Sequence, residues 1–195
     1  MISFVSNGYL GLSHHPEVIK AGIDALEQYG AGAGASPLIG GHNFLHEQLE
    51  QEIAHFLKNE YAITYTSGYA ANCSTLLAMM GKEDIAIMDM FTHASVFDGC
   101  LCTNTKRFLH NNIDSLVHVL NNSKNFKNRF VIIDGVYSQD GDIAFLDQIY
   151  AVCKEHDAFL IVDDAHGIGV LAKQAEELLK IMSSRQSRHD NRNIQ

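Results

Sequence analysis

A mostly parallel α/β sheet is the fold this sequence predicts, and three observations predict it. Short apolar runs alternate with longer amphipathic stretches through the middle of the chain. Several of those runs are rich in β-branched or aromatic residues, as strands covered on both faces are. Four of the five runs are followed at once by a noted polar cluster, the place where an open α/β sheet binds its ligands. The expected strands are 61–66, 84–88, 106–109, 129–133 and 158–162. The expected helices are 43–57, 70–80, 94–101, 113–120 and 145–156. In the first of these, Leu45, Leu49, Ile53, Phe56 and Leu57 fall on one stripe. Strand then helix, repeated, implies right-handed crossovers with helices on both faces.

Composition narrows the class of function. The chain has 195 residues, 46% hydrophobic and 19% charged, which suits a globular domain with a real core. With 14 basic against 23 acidic residues the net charge is -9, which opposes a nucleic-acid or anionic-membrane surface. A local phosphate site built of backbone N–H groups remains open. No apolar run reaches the length of a membrane span, and residues 1–7 lack the pattern of a signal peptide. Cys73, Cys100, Cys102 and Cys153 form no disulfide framework, so a reduced, cytoplasmic chain is expected. The spacing of Cys100 and Cys102 is too short for a zinc knuckle. His42 and His46, with Glu47 and Glu50 nearby, have helical ligand spacing but no third convergent ligand, so no metal is expected there.

Three stretches are expected: an N-terminal segment over 1–30, the sheet domain over 31–172, and a polar tail over 173–195. Residues 29–41 hold five glycines and a proline among 13 residues, which excludes a regular element. Such a loop serves either turn geometry or a close approach of backbone to a ligand.

The polar clusters carry the functional signal. Ser67-Gly68-Tyr69 opens one helix, and Thr92-His93-Ala94-Ser95 opens another. Residues 134–141 follow the fourth expected strand, and Asp163-Asp164-Ala165-His166-Gly167 follows the fifth. Singly, each has a plain reading. Ser67 is a helix cap, His93 a partly buried histidine and Asp140-Gly141-Asp142 a turn. Asp163 and Asp164 are harder to dismiss, because they end an apolar run and a buried carboxylate needs a partner. Together these types suit pyridoxal phosphate (PLP). Ser67, Gly68 and Tyr69 can offer N–H groups to a phosphate, and His93 a flat ring to stack. Asp163 can hold a proton on the pyridine nitrogen, while Ser138 and His166 reach the ring oxygen.

Six ordered motifs resemble those of the α-oxoamine synthases. They are residues 7–12 (Asn-Gly-Tyr-Leu-Gly-Leu), 29–36, 66–72, 93–95, 134–141 and 162–169, and the likeness spans roughly residues 3 to 172. The resemblance implies the PLP-dependent fold-type I (aspartate aminotransferase-like) large domain, here C-terminally truncated, with 31–172 as its PLP-binding part. It implies a homodimer, amino-acid and acyl-CoA substrates, and a decarboxylative condensation between them. It also implies His93, Asp163 and His166 as catalytic residues and Asn7 and Tyr9 as substrate residues. Another fold-type I enzyme, such as an aminotransferase, and a non-catalytic partner subunit are the alternative readings.

The family's Schiff-base lysine lies roughly 30 residues beyond the Asp-Asp-Ala-His motif, after another strand. Past Leu171 the likeness ends, and Lys173 and Lys180, the lysines of the tail, come too early. This chain by itself is therefore expected not to complete the catalytic cycle, as an incomplete copy of a longer enzyme.

Overall fold

A computed structural model of the chain describes residues 5–171. It divides into two compact units, with the boundary between Ile63 and Thr64.

The first unit is helical. Helix α1 (Pro16–Tyr29) starts with proline at its first turn, where the missing N–H costs nothing, and was not anticipated from the sequence. Helix α2 (Phe44–Phe56) is capped by Asn43, whose side chain accepts from the N–H groups of Leu45 and His46. The His46 ring accepts in turn from the Asn43 N–H, at 3.3 Å, and His42 pairs with Glu50 at 3.0 Å. The glycine-rich stretch, expected to be irregular, contains one wide helical turn over Pro37–Gly41, closed by the Gly41 N–H donating to the Ser36 carbonyl at 2.8 Å. Gly41 is required there: a Cβ would run into the carbonyl oxygen of Ala35.

The second unit holds the sheet. Helix α3 (Gly68–Met79) leads into β1 (Ile85–Asp89), α4 (Ala94–Gly99), β2 (Asn104–Phe108), α5 (Ile113–Asn121), β3 (Arg129–Asp134), α6 (Leu146–Glu155) and β4 (Phe159–Asp163). All pairings are parallel, in the order β2-β1-β3-β4. The expected strand over 61–66 does not form; that stretch is irregular. Its apolar residues Tyr61 and Ile63 are exposed, and it has no ladder among the described residues to satisfy its backbone. The other four strands lie within two residues of expectation.

Alternation across the sheet sorts the core into two layers. Ile85, Ile87, Val131, Ile133 and Leu160 face α5 and α6, packing on Leu116, Leu120, Leu146 and Ile149. Ala86, Met88, Phe130 and Ile132 face α3 and α4, packing on Leu76, Val96 and Cys100. Among the described residues no helix is long and apolar enough to cross a membrane.

Strand order places the site. The chain steps from β1 outward to β2, then returns to lay β3 on the other side of β1. Between the carboxyl ends of β1 and β3 lies a topological switch point, where the following loops diverge and leave a crevice.

Packing of α3 against α4 depends on Gly99, where an added Cβ would stand 3.1 Å from the Asn72 carbonyl, the Cys73 Cα and the Leu76 Cβ. Two of those atoms are backbone and cannot swing away. Gly99→Val is expected to destabilise the chain by about 1–3 kcal/mol through overpacking, read as a lower midpoint in urea unfolding.

Candidate cofactor site at the carboxyl edge of the sheet

A cavity of about 390 Å³ opens at the switch point, lined by Met90, Phe91, Thr92, His93 and Ala94 after β1 and by Tyr137, Ser138, Gln139 and Asp140 after β3. His93 and Ser138 thus line one space, whereas Ser67, Gly68, Tyr69, Asp163 and His166 are not among its lining residues.

Each wall is held by local hydrogen bonds. Asp89 turns the chain by accepting from the Phe91 N–H at 2.9 Å, and its carbonyl accepts from the Thr92 hydroxyl at 3.0 Å. His93 caps α4: its Nδ1 accepts from the Ser95 N–H at 3.2 Å and lies 2.6 Å from the Ser95 hydroxyl. That hydroxyl accepts from the Asn72 amide at 2.9 Å, so it donates to His93. With Nδ1 an acceptor twice over, the neutral His93 ring carries its proton on Nε2.

The same Asn72 amide donates to Asp163 Oδ2 at 2.7 Å, and the Ala165 N–H donates to Asp163 Oδ1 at 3.1 Å. One chain of contacts therefore runs from His93 through Ser95 and Asn72 to Asp163. Neither Asn72 nor Ser95 was singled out from the sequence. Each sits inside a helix-opening motif, but a link between residues 23 and 91 positions apart has no local signal.

Ser67 caps α3 by accepting from the Ala70 N–H at 3.1 Å. The N–H groups of Gly68 and Tyr69, in the first turn, have no acceptor within their own helix. Nothing stands within 4 Å of where a Gly68 Cβ would be, so the approach is open. The Tyr69 hydroxyl donates to Asp98, which pushes the phenol up to about 12. His166 lies half-buried in the turn after β4, three residues past Asp163. Asn7 and Tyr9 belong to the first unit, where both are exposed and the Tyr9 hydroxyl stands 3.5 Å from the Asn7 side chain. Lys173 and Lys180 fall outside the described residues.

The edge is crowded with carboxylates. Asp134 and Asp163 are register partners at the ends of β3 and β4. Burial and then the neighbouring charge of Asp163 push Asp134 up to about 7. Asp164 is pushed up to about 6 by burial and by Asp163, and its buried oxygens have no hydrogen-bond partner among the described residues. Among the described residues no lysine or arginine pairs with Asp134, Asp163 or Asp164.

For an acid whose folded pKa is raised, the folded state holds its proton longer than the unfolded state does. Stability is then greatest at low pH and falls as pH rises from the ordinary 3.8 through the folded value. Asp164→Asn is expected to flatten the fall in unfolding free energy between about pH 4 and about pH 6, the range set by its own raised value, measured by urea denaturation. An unchanged slope would mean that Asp164 titrates normally.

Comparison with known proteins agrees with this geometry. The family model described as aminotransferase class I and II matches residues 1–189. A putative 8-amino-7-oxononanoate synthase from Desulforudis audaxviator is 44% identical over 170 residues, covering 86% of this chain and 44% of that protein. The 8-amino-7-oxononanoate synthase of Marinobacter nauticus is 42% identical over 176 residues, covering 89% and 44%. Among solved structures, the serine palmitoyltransferase of Sphingomonas wittichii superposes with a TM-score of 0.86 at 34% identity, covering 91% of this chain and 46% of that one. A single-residue variant from S. paucimobilis with a bound PLP–myriocin aldimine has a TM-score of 0.78 at 35% identity, covering 80% and 41%. The chain therefore spans under half the length of these relatives. The chain belongs to the aminotransferase class I and II family, and within it is similar to the 8-amino-7-oxononanoate synthases and serine palmitoyltransferases.

Proposed function

We propose that this chain forms the ring-binding half of a PLP-dependent α-oxoamine synthase site, one that joins an amino acid to an acyl-CoA with loss of CoA and carbon dioxide. The observation that carries the reading is the cluster of Asp134, Asp163 and Asp164 at the carboxyl ends of β3 and β4, with no cationic side chain paired to it among the described residues. A protonated pyridine nitrogen is a flat cation with one N–H, and Asp163 is the carboxylate proposed to accept it. Both its oxygens already take donors, from the Asn72 amide and the Ala165 N–H, which fix its orientation.

The rest of the donor set fits the same group. Gly68 and Tyr69 offer first-turn N–H groups, and the positive end of α3 favours a phosphate. His93, exposed at the wall, offers a face for stacking and an Nε2–H toward a substrate. Ser138 supplies a hydroxyl from the opposite wall, and His166 is proposed on the ring-oxygen side. Asn7 and Tyr9 are proposed as substrate residues by resemblance alone. When bound, PLP serves as an electron sink for charge that develops at the amino-acid α-carbon. This chain's residues orient the ring, keep its nitrogen protonated and stack one face. A homodimer and a cytoplasmic setting belong to the same proposal.

Two outcomes test it. Asp163→Ala is expected to weaken binding of PLP to the full chain about 10- to 100-fold, the worth of a charged hydrogen bond, as read by calorimetry. Equal affinity in the variant would remove Asp163 from the site. Borohydride reduction of the chain with PLP, followed by peptide mapping, is expected to leave no stoichiometric adduct on Lys173 or Lys180. Such an adduct, together with acyl-CoA-dependent release of CoA thiol, would show that the chain is complete for catalysis.

A further inference from the structure

One cluster beside the crevice is used by nothing described above. His110 lies two residues past the end of β2, between two carboxylates. Its Nδ1 is 2.8 Å from Asp89 Oδ1, and its Nε2 is 2.6 Å from Asp142 Oδ2. An ionised carboxylate only accepts hydrogen bonds, so a ring that meets one at each nitrogen must donate from both. The geometry is that of an imidazolium. Asp89 is fully buried, and its second oxygen accepts from the Asn111 N–H at 3.0 Å. The Asn111 amide reaches Asp142 and the Ile143 carbonyl, each at 3.2 Å. Asn111 adopts a left-handed φ of 48°, a conformation tolerated by asparagine, which lets it bridge the two loops.

The ring planes make the second half of the grip. Phe91 stacks on His110 at 4.4 Å, and Tyr137 meets it edge-on at 4.4 Å. Phe91 stands two residues before His93, and Tyr137 one residue before Ser138. Both belong to the lining of the crevice, one from each wall. His110 therefore touches, by hydrogen bond and by ring contact, both loops that carry the ring-facing side chains.

We propose that His110 is a positioning residue, a charged clamp that locks the Met90–Ala94 wall to the Tyr137–Asp142 wall and so sets where His93 and Ser138 stand. The significance for a bound ring rests on the cofactor reading; the clamp itself does not. Burial works against the charge on His110, but hydrogen bonds to Asp142 and Asp89 outweigh it and raise its pKa overall. Asp142 is correspondingly lowered by His110. The titratable groups facing the ring are Asp89 from β1, Asp142 from the loop after β3, and the buried Tyr137 phenol, which burial and those carboxylates push upward. Asp134 acts on Asp89's side of the cluster and is itself raised. A histidine with a raised folded pKa contributes fully below its unfolded value near 6.5, and its contribution is lost as pH rises through the folded value. The clamp thus closes toward acid and loosens toward base.

The test uses the full chain and no ligand. Amide hydrogen exchange is followed by mass spectrometry from about pH 5.5 to about pH 8.5, corrected for intrinsic exchange, while the His110 Hε1 signal is titrated by NMR. Peptides over 89–95 and 135–144 are expected to lose about tenfold in protection together, with the midpoint of His110, and α5 to stay unchanged. His110→Phe keeps both ring contacts but no hydrogen bond, and is expected to leave both segments about tenfold less protected at acid pH, without a midpoint. Asp142→Asn, at a part-exposed position, is expected to lower the His110 midpoint and to move both exchange profiles with it; should His110→Phe not fold, this arm decides. Wild-type protection in His110→Phe, or profiles that ignore the His110 midpoint in Asp142→Asn, would overturn the clamp. Calorimetry with 4-deoxypyridoxine 5′-phosphate, which has no aldehyde to react with surface lysines, addresses the cofactor reading separately. Failure of that probe to bind would sink the reading and leave the exchange result standing.

Discussion

Aspartates end three of the four strands, and the charge they gather at one sheet edge governs how the rest of that edge is built. Asp89, Asp134 and Asp163 close β1, β3 and β4, and adjacent parallel strands bring their ends to within a ladder spacing of each other. Such proximity cannot leave every carboxylate ionised without a compensating donor. The molecule resolves it differently at each position. Asp89 is surrounded by the His110 ring and by the Phe91 and Asn111 N–H groups. Asp163 takes the Asn72 amide and the Ala165 N–H. Asp134 accepts from the His93 N–H at 3.3 Å and is pushed up to about 7.

Strand order turns that crowding into a site. A sheet wound in one direction only would carry each post-strand loop over the next strand. Reversal between β1 and β3 parts the loops instead, and the residues that follow those two strands become the walls of the opening. Ser67 and His93 start α3 and α4 by accepting backbone N–H groups, and His93 also lines the crevice. The first unit contributes differently. Its helices α1 and α2 expose Val18, Ile19, Ile23, Leu26, Leu49 and Phe56.

Ser67, Gly68, His93, Ser138 and Asp163 were legible because each stands at a boundary that composition marks: a polar residue after an apolar run, or a cap before a helical stripe. His110 was not, although it follows β2 by two residues. The run before it, Asn104–Phe108, is mostly polar and exposed, with only Phe108 buried, so it gave a weak strand signal and drew no attention to its end. Residues 61–66 failed in the opposite sense. Their β-branched and aromatic content satisfies the local preference for a strand, yet propensity forms no ladder without a neighbour to receive its N–H groups.

By itself, the sequence determined the alternation of elements, the parallel sheet, the order of motifs and the chemistry of the residues that follow each strand. Those properties are local: they depend on apolar period, caps and turn residues within a few positions. Tertiary structure alone decided which strand ends became neighbours, and hence that Asn72 would bind Asp163 across 91 positions and His110 would bridge Asp89 and Asp142. Such links arise when a sheet brings distant strand ends side by side, and the burial that follows is what forces each carboxylate to find a donor.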